Sequence, residues 1–166
     1  MTKVRIRKAT ARDLPAINRV YNHYVLHSTC TYQETPRIAP EAREWFSDHD
    51  RFHPITVATL DGVVVGWASL SRFHARSAYR FTVENSVYID KDHHRQGIGS
   101  LLLADLLNRA RALGHRAVIA GISADQRASI AIHARFGFKK VGHLRKVGFK
   151  FGRWLDAVYM ELLLDQ

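Results

Sequence analysis

A single cysteine, Cys30, in 166 residues excludes an internal disulfide framework and leaves too few thiols for a cysteine-rich zinc site. No apolar run approaches the ~18 residues that cross a bilayer as a helix. The opening MTKVRIRKAT also lacks the apolar centre of a signal peptide. The chain is therefore expected in the cytoplasm with no membrane partner. Internal repeats and low-complexity tracts are missing, and acid is scarce: 15 Asp and Glu face 25 Lys and Arg, a formal net charge of +10. That excess favours an anionic partner, either nucleic acid or a small phosphorylated ligand. The basic residues are scattered, and no RNP aromatic pair, zinc finger or KH loop accompanies them, so nucleic acid is the poorer choice. His93 and His94 are adjacent instead of four apart on a helix, which argues against a metal.

The length and the 46% apolar content suit one domain over residues 1–166 with one core. Val4 to Arg7 alternates like a half-buried strand. Thr10 and Asp13 can cap a helix over about 11–26, whose apolar residues recur at helical spacing. HSTCTYQETP then reads as a mobile loop able to cover a site, and Pro40 opens a second helix. Ile55–Leu60 and Val63–Leu70 flank Asp61-Gly62, the turn that a two-residue hairpin requires. The next strand is expected from Ala78 to Ile89. Its alternation places Arg80, Thr82, Glu84, Ser86 and Tyr88 on a polar face, and Tyr79, Phe81, Val83, Val87 and Ile89 on an apolar one. A third helix follows with Leu101, Leu102, Leu106, Leu107, Ala110 and Leu113 as its buried stripe. Ala117–Ile122 is apolar throughout, as in a strand covered on both faces. A short helix over SADQRASIAIHARFGF and two closing strands complete an α/β domain with a mixed central sheet flanked by helices.

The chain is organised around Ser86 to Gly114. A strand, Val87, Tyr88 and Ile89, runs through a basic loop into the turn Arg95-Gln96-Gly97-Ile98-Gly99-Ser100, and a helix follows at once. The first amides of a helix lack internal partners and carry the positive end of its dipole, so this junction can hold a phosphate.

Several motifs, in this order, resemble the GCN5-related N-acetyltransferases, and within them the phosphinothricin and methionine sulfoximine acetyltransferase branch. They are YNHYVLHSTCTY at 21–32, DGVVVGWA at 61–68, RSAYRFTVENSVYI at 76–89, RQGIGS at 95–100, SIAIHARFGF at 129–138 and KFGRWLD at 150–156. The resemblance spans nearly the whole chain. It implies two parallel strands that splay, acetyl-CoA as acetyl donor, pantetheine paired with Val87 to Ile89, and pyrophosphate on the amides of Arg95 to Ser100. Gln126, Ser129 and Arg135 match further coenzyme-binding positions. Gln126 stands where the family usually has Asn, and His94 where it usually has Arg or Gln.

Acetyl transfer to an amine asks for a base and for donors to the oxyanion. Glu84, on the polar face just before the pantetheine strand, is the candidate base, and the resemblance points to it too. His133 occupies the position of a tyrosine that many relatives carry as acid for the departing thiolate; a structural histidine beside the coenzyme is the other reading. Arg76, Ser77, Ala78 and Tyr79, which precede the strand, and Arg80 on it are candidates for holding a substrate carboxylate. Tyr32, Lys150 and Trp154 match family positions bordering that pocket. These features imply a homodimeric enzyme acetylating the α-amine of a small amino-acid-like molecule. The alternatives are a family member acting on another amine or a protein N-terminus, and a binding module without turnover.

Overall fold

The structure is a computed structural model that describes residues 3–164; the ends of the expected 1–166 domain, residues 1–2 and 165–166, lie outside it. Its seven strands are β1 (Arg5–Lys8), β2 (Ile55–Leu60), β3 (Val63–Arg72), β4 (Thr82–Ile89), β5 (Ala117–Ser123), β6 (Lys139–Lys150) and β7 (Arg153–Leu163). The helices are α1 (Leu14–His27), α2 (Ala39–Ser47), α3 (Ile98–Ala112) and α4 (Arg127–Arg135). The strands form one mixed sheet in the order β1-β2-β3-β4-β5-β7-β6. β4 and β5, joined through α3, are parallel neighbours as expected, while the other pairs are antiparallel.

Each sheet face has its own core. Leu102, Leu103 and Leu106 of α3 are fully buried with Leu70, Val83 and Val118. On the opposite face Ile17 and Val20 of α1 pack with Val57 and Trp67. α3 is rotated relative to the sequence expectation: Leu101 is 47% exposed, while Ile98 and Leu103 join the buried stripe. At 100° per residue Leu101 falls about 150° from the middle of the stripe that Ile98, Leu102, Leu103, Leu106, Leu107 and Ala110 bury. A second difference concerns the run before β4. Ser77–Tyr79 is a short 3₁₀ turn, in which the Tyr79 and Arg80 amides donate to the carbonyls of Arg76 and Ser77 at 3.0 and 3.2 Å. β4 therefore begins at Thr82, not Ala78, and Arg80 leaves its polar face. The Arg80 guanidinium instead donates to the Ser77 carbonyl at 3.3 Å and lies over the Phe81 ring.

One irregularity in the sheet positions everything that follows. β4 and β5 pair only at Thr82–Ala117, Val83–Val118 and Glu84–Ile119. Beyond Glu84, β4 continues along β3 to the pair Gly66–Ile89, and β5 follows β7 to Ser123–Ala157. The two strands diverge, and a wedge opens between them.

Candidate active site

The wedge is a cleft of about 300 Å³. Glu84 to Tyr88 of β4 and Ala120 to Ser123 of β5 form its sides, and Thr29 to Tyr32, Gln126, Ser129, His133, Ala157 and Tyr159 close it. Glu84 stands at the narrow end. It is half-buried and has no hydrogen-bond or ion-pair partner among the described residues. Burial pushes its carboxyl above the usual glutamate range, since a poorly solvated carboxylate favours its neutral form. Across the wedge, Gly121 leaves the space this carboxyl occupies. A Cβ on Gly121 would lie 3.2 Å from Glu84 Oε1 and 3.4 Å from the Tyr159 ring. Gly121→Ala should displace the carboxyl and lower turnover by about tenfold or more, because small misplacements of reacting groups are costly. A steady-state kcat equal to wild type would show that the carboxyl's position is immaterial.

His133 lies beneath Glu84's strand, on the other sheet face, and is 4% exposed. Its Nδ1 is 2.7 Å from the Ser129 carbonyl, which can only accept, so Nδ1 carries the proton. Nε2, 2.9 Å from Asn85 Nδ2, must then accept. Burial holds the imidazole below its ordinary range, which keeps this neutral form. In this arrangement the one proton of the neutral imidazole is held by the Ser129 carbonyl, and the side chain ties α4 to β4.

At the wide end, Arg95 and Gly97 both adopt left-handed backbone (φ 58° and 76°). Such alternation turns successive amides into a concave anion cradle. It leads into the first turn of α3, where the Ile98, Gly99 and Ser100 amides have no intrahelical acceptor. Arg135 donates to Ser100 Oγ at 3.1 Å and brings its charge to this mouth. The Tyr24 hydroxyl of α1 donates to the Ile89 carbonyl, so the His94 imidazole donates to that hydroxyl, at 2.6 Å. His94 braces the loop. The amides suit a pyrophosphate and the unpaired β4 edge a pantetheine, so the residues present fit acetyl-CoA.

The wall formed by residues 28–32 is pinned and not the mobile loop expected. Lys150, 2% exposed, donates to the Ser28 and Thr31 carbonyls at 2.7 and 2.8 Å. Lys150, matched above to a family position bordering the substrate pocket, is thus tied to the wall of the cleft. Burial lowers its ammonium from the ordinary lysine range. Thr29 donates to Asp125 at 2.8 Å, Gln126 Nε2 donates to Thr29 Oγ1 at 2.9 Å, and Asp125 also holds Arg153 at 2.8 Å. Tyr32 reaches the Asp156 carbonyl at 2.6 Å, its ring lying where a Cβ on Gly148 would be only 2.7 Å away. Burial raises the Cys30 thiol, the wrong direction for a nucleophile.

The structure thus brings Glu84, Val87, Tyr88, Gln126, Ser129, His133 and Tyr32 to one cleft. Ile89 and the 95–100 turn continue it at the wide end. Arg76, Ser77, Tyr79 and Arg80 instead line a separate cavity of about 420 Å³, with Phe52, His53 and His115. Ala78 sits in the same turn. Trp154 is 62% exposed on the outer hairpin against Phe149. Sequence reasoning missed Asn85, Gly121 and Tyr159. Only Asn85 and Gly121 carried a signal, a polar residue in an apolar register and a glycine inside an apolar strand.

The family model described as the acetyltransferase (GNAT) family matches residues 17–138. The chain is 41% identical over 162 residues to the L-methionine sulfoximine/L-methionine sulfone acetyltransferase of Pseudomonas aeruginosa, covering 96% of this chain and 94% of that one. It is 41% identical over 155 residues to the phosphinothricin N-acetyltransferase of Alcaligenes faecalis, covering 92% and 79%. Among solved structures, the GNAT superfamily phosphinothricin acetyltransferase of Sinorhizobium meliloti in complex with AcCoA matches at a TM-score of 0.93 and 40% identity, covering 97% and 88%.

Proposed function

The chain belongs to the acetyltransferase (GNAT) family and is an N-acetyltransferase, and from that premise we propose that its acceptor is the α-amine of a small amino acid of the methionine sulfoximine, methionine sulfone or phosphinothricin class. The observation that carries the catalytic half of this reading is Glu84: an unpartnered, half-buried carboxylate at the narrow end of a cleft whose wide end is an anion cradle.

Acetyl-CoA, when bound, supplies an activated acyl group and a thiol leaving group. The chain's own residues do the rest. The glycine turn, with Arg135 and the α3 amides, holds the phosphates. The unpaired edge of β4 at Val87 to Ile89 aligns the arm, and a β4 amide faces the developing oxyanion. Glu84 takes a proton from the substrate ammonium, directly or through one water, so that the nitrogen lone pair can attack the acyl carbon as the carbon–sulfur bond breaks. A thiol of pKa ~8.5 departs without a dedicated acid, which agrees with the one proton of His133 being held by the Ser129 carbonyl.

The cleft lining has no Lys or Arg. Arg76 and Arg80, the candidates for the substrate carboxylate in this reading, line the separate cavity beside Phe52, His53 and His115. A homodimer belongs to the same reading and is supported by the exposed Val141, Val147, Phe149, Phe151 and Trp154 of β6, β7 and their turn. Free-thiol release from acetyl-CoA should be fastest with the three amino acids named above and slower with ordinary amino acids. Release with only a polyamine or peptides would overturn the substrate assignment.

A further inference from the structure

Asn85 is the first residue past the last β4–β5 pair, 7% exposed, and lines the cleft. Its orientation is dictated. Because His133 Nδ1–H is committed to the Ser129 carbonyl, Nε2 needs a donor, and Asn85 must present its NH₂ there. The carboxamide oxygen is thereby turned away from its one side-chain neighbour, and Asn85 Oδ1 is buried with no hydrogen-bond partner. Leaving a buried acceptor unpaired is costly, and an acceptor of this kind facing a binding cleft is suited to a donor carried in by the ligand.

The chemistry of that donor follows from position. Asn85 adjoins Glu84, where the reacting amine and thioester must meet. The thioester sulfur offers no donor. The nearest one along the arm is the N–H of the cysteamine amide, whereas the β-alanine amide and the hydroxyl lie further toward the glycine turn. We propose that Asn85 is a coenzyme-reading residue whose carboxamide oxygen accepts the cysteamine N–H of acetyl-CoA, with His133 as the residue that aims it. This inference rests on the acetyl-CoA reading above. It gives His133 a use as an acceptor that holds the Asn85 amide in one of its two orientations.

The test is calorimetric binding to the full-length protein of acetyl-CoA and two analogues, each with one amide N–H replaced by an ester oxygen. Replacing the cysteamine N–H should weaken binding to wild type about tenfold and leave binding to Asn85→Leu unchanged. Asn85→Asp keeps an oxygen acceptor and should recover the sensitivity, which keeps the test sharp even if the leucine variant folds poorly. The β-alanine replacement should have the same effect in all three proteins. An equal loss in wild type and Asn85→Leu for the cysteamine analogue, or coupling to the β-alanine position, would overturn the proposal. If wild type fails to bind acetyl-CoA at all, the coenzyme reading fails instead, and the two failures are separate outcomes.

Discussion

Glu84→Gln should lower turnover by about 10²–10⁴-fold while leaving acetyl-CoA affinity and thermal stability near wild type. That range is what a positioned general base contributes to proton transfer. The binding and folding expectations follow from the site: Glu84 has no partner among the described residues, so an isosteric amide breaks no bond and strands no charge. The same substitution has a signature in pH. Burial favours the protonated carboxyl, so the active carboxylate forms only as pH rises through a value above the ordinary ~4.3 of glutamate. The acidic limb of kcat/KM should report that ionisation in wild type and vanish in Glu84→Gln. A variant within a few-fold of wild type would transfer the base's role elsewhere, with Tyr159, which shares the cleft, the next group to test.

Lys150→Met should produce a different pattern: a loss of about 2–4 kcal/mol in stability, read from the urea midpoint, with a raised KM for the amine and little change in acetyl-CoA affinity. Methionine fills much of the buried space of the lysine stem but leaves the Ser28 and Thr31 carbonyls without their donor, and buried acceptors stranded in this way are costly. The wall those carbonyls belong to carries Thr29, Cys30 and Tyr32, whereas the glycine turn proposed for the phosphates leads into α3, and the loop before it is braced independently by Tyr24 and His94. Wild-type stability in the variant would mean that the loop finds its own bonds, and that Lys150 is free after all to meet substrate.

These two residues mark how far the sequence could be read. Glu84 was legible because strand alternation is local: neighbours on one face lie two positions apart, and Thr82, Glu84 and Tyr88 obey it. The glycine turn was legible for a similar reason, since left-handed backbone at Gly97 has a residue-level signature. Lys150 was not, because a lysine at a strand end normally reaches water, and only the return of the 28–31 backbone, over a hundred residues away in sequence, gives its ammonium a buried home. Arg80 was misplaced because Arg76-Ser77-Ala78-Tyr79 has neither proline nor glycine to announce the 3₁₀ turn that delays β4. Leu101 was misplaced because a leucine-rich helix has several plausible stripes until its first residue fixes the phase. The Asn85–His133 bond joins positions 48 apart, and the tautomer that orients it depends on a backbone carbonyl that periodicity does not place.

The short parallel ladder between β4 and β5 also bears on the mechanics of the whole molecule. Three residue pairs make up the whole β4–β5 ladder, the one place where the sheet hydrogen bonds of β1 to β4, on which α3 lies, meet those of β5 to β7. From Asn85 onward the backbone groups of β4 facing the gap have no β5 rungs. An extended chain carrying its own amides can supply those missing rungs to the edge of β4. The protein is in this sense an incomplete sheet, with the edge of β4 beyond Glu84 open where an eighth strand would lie.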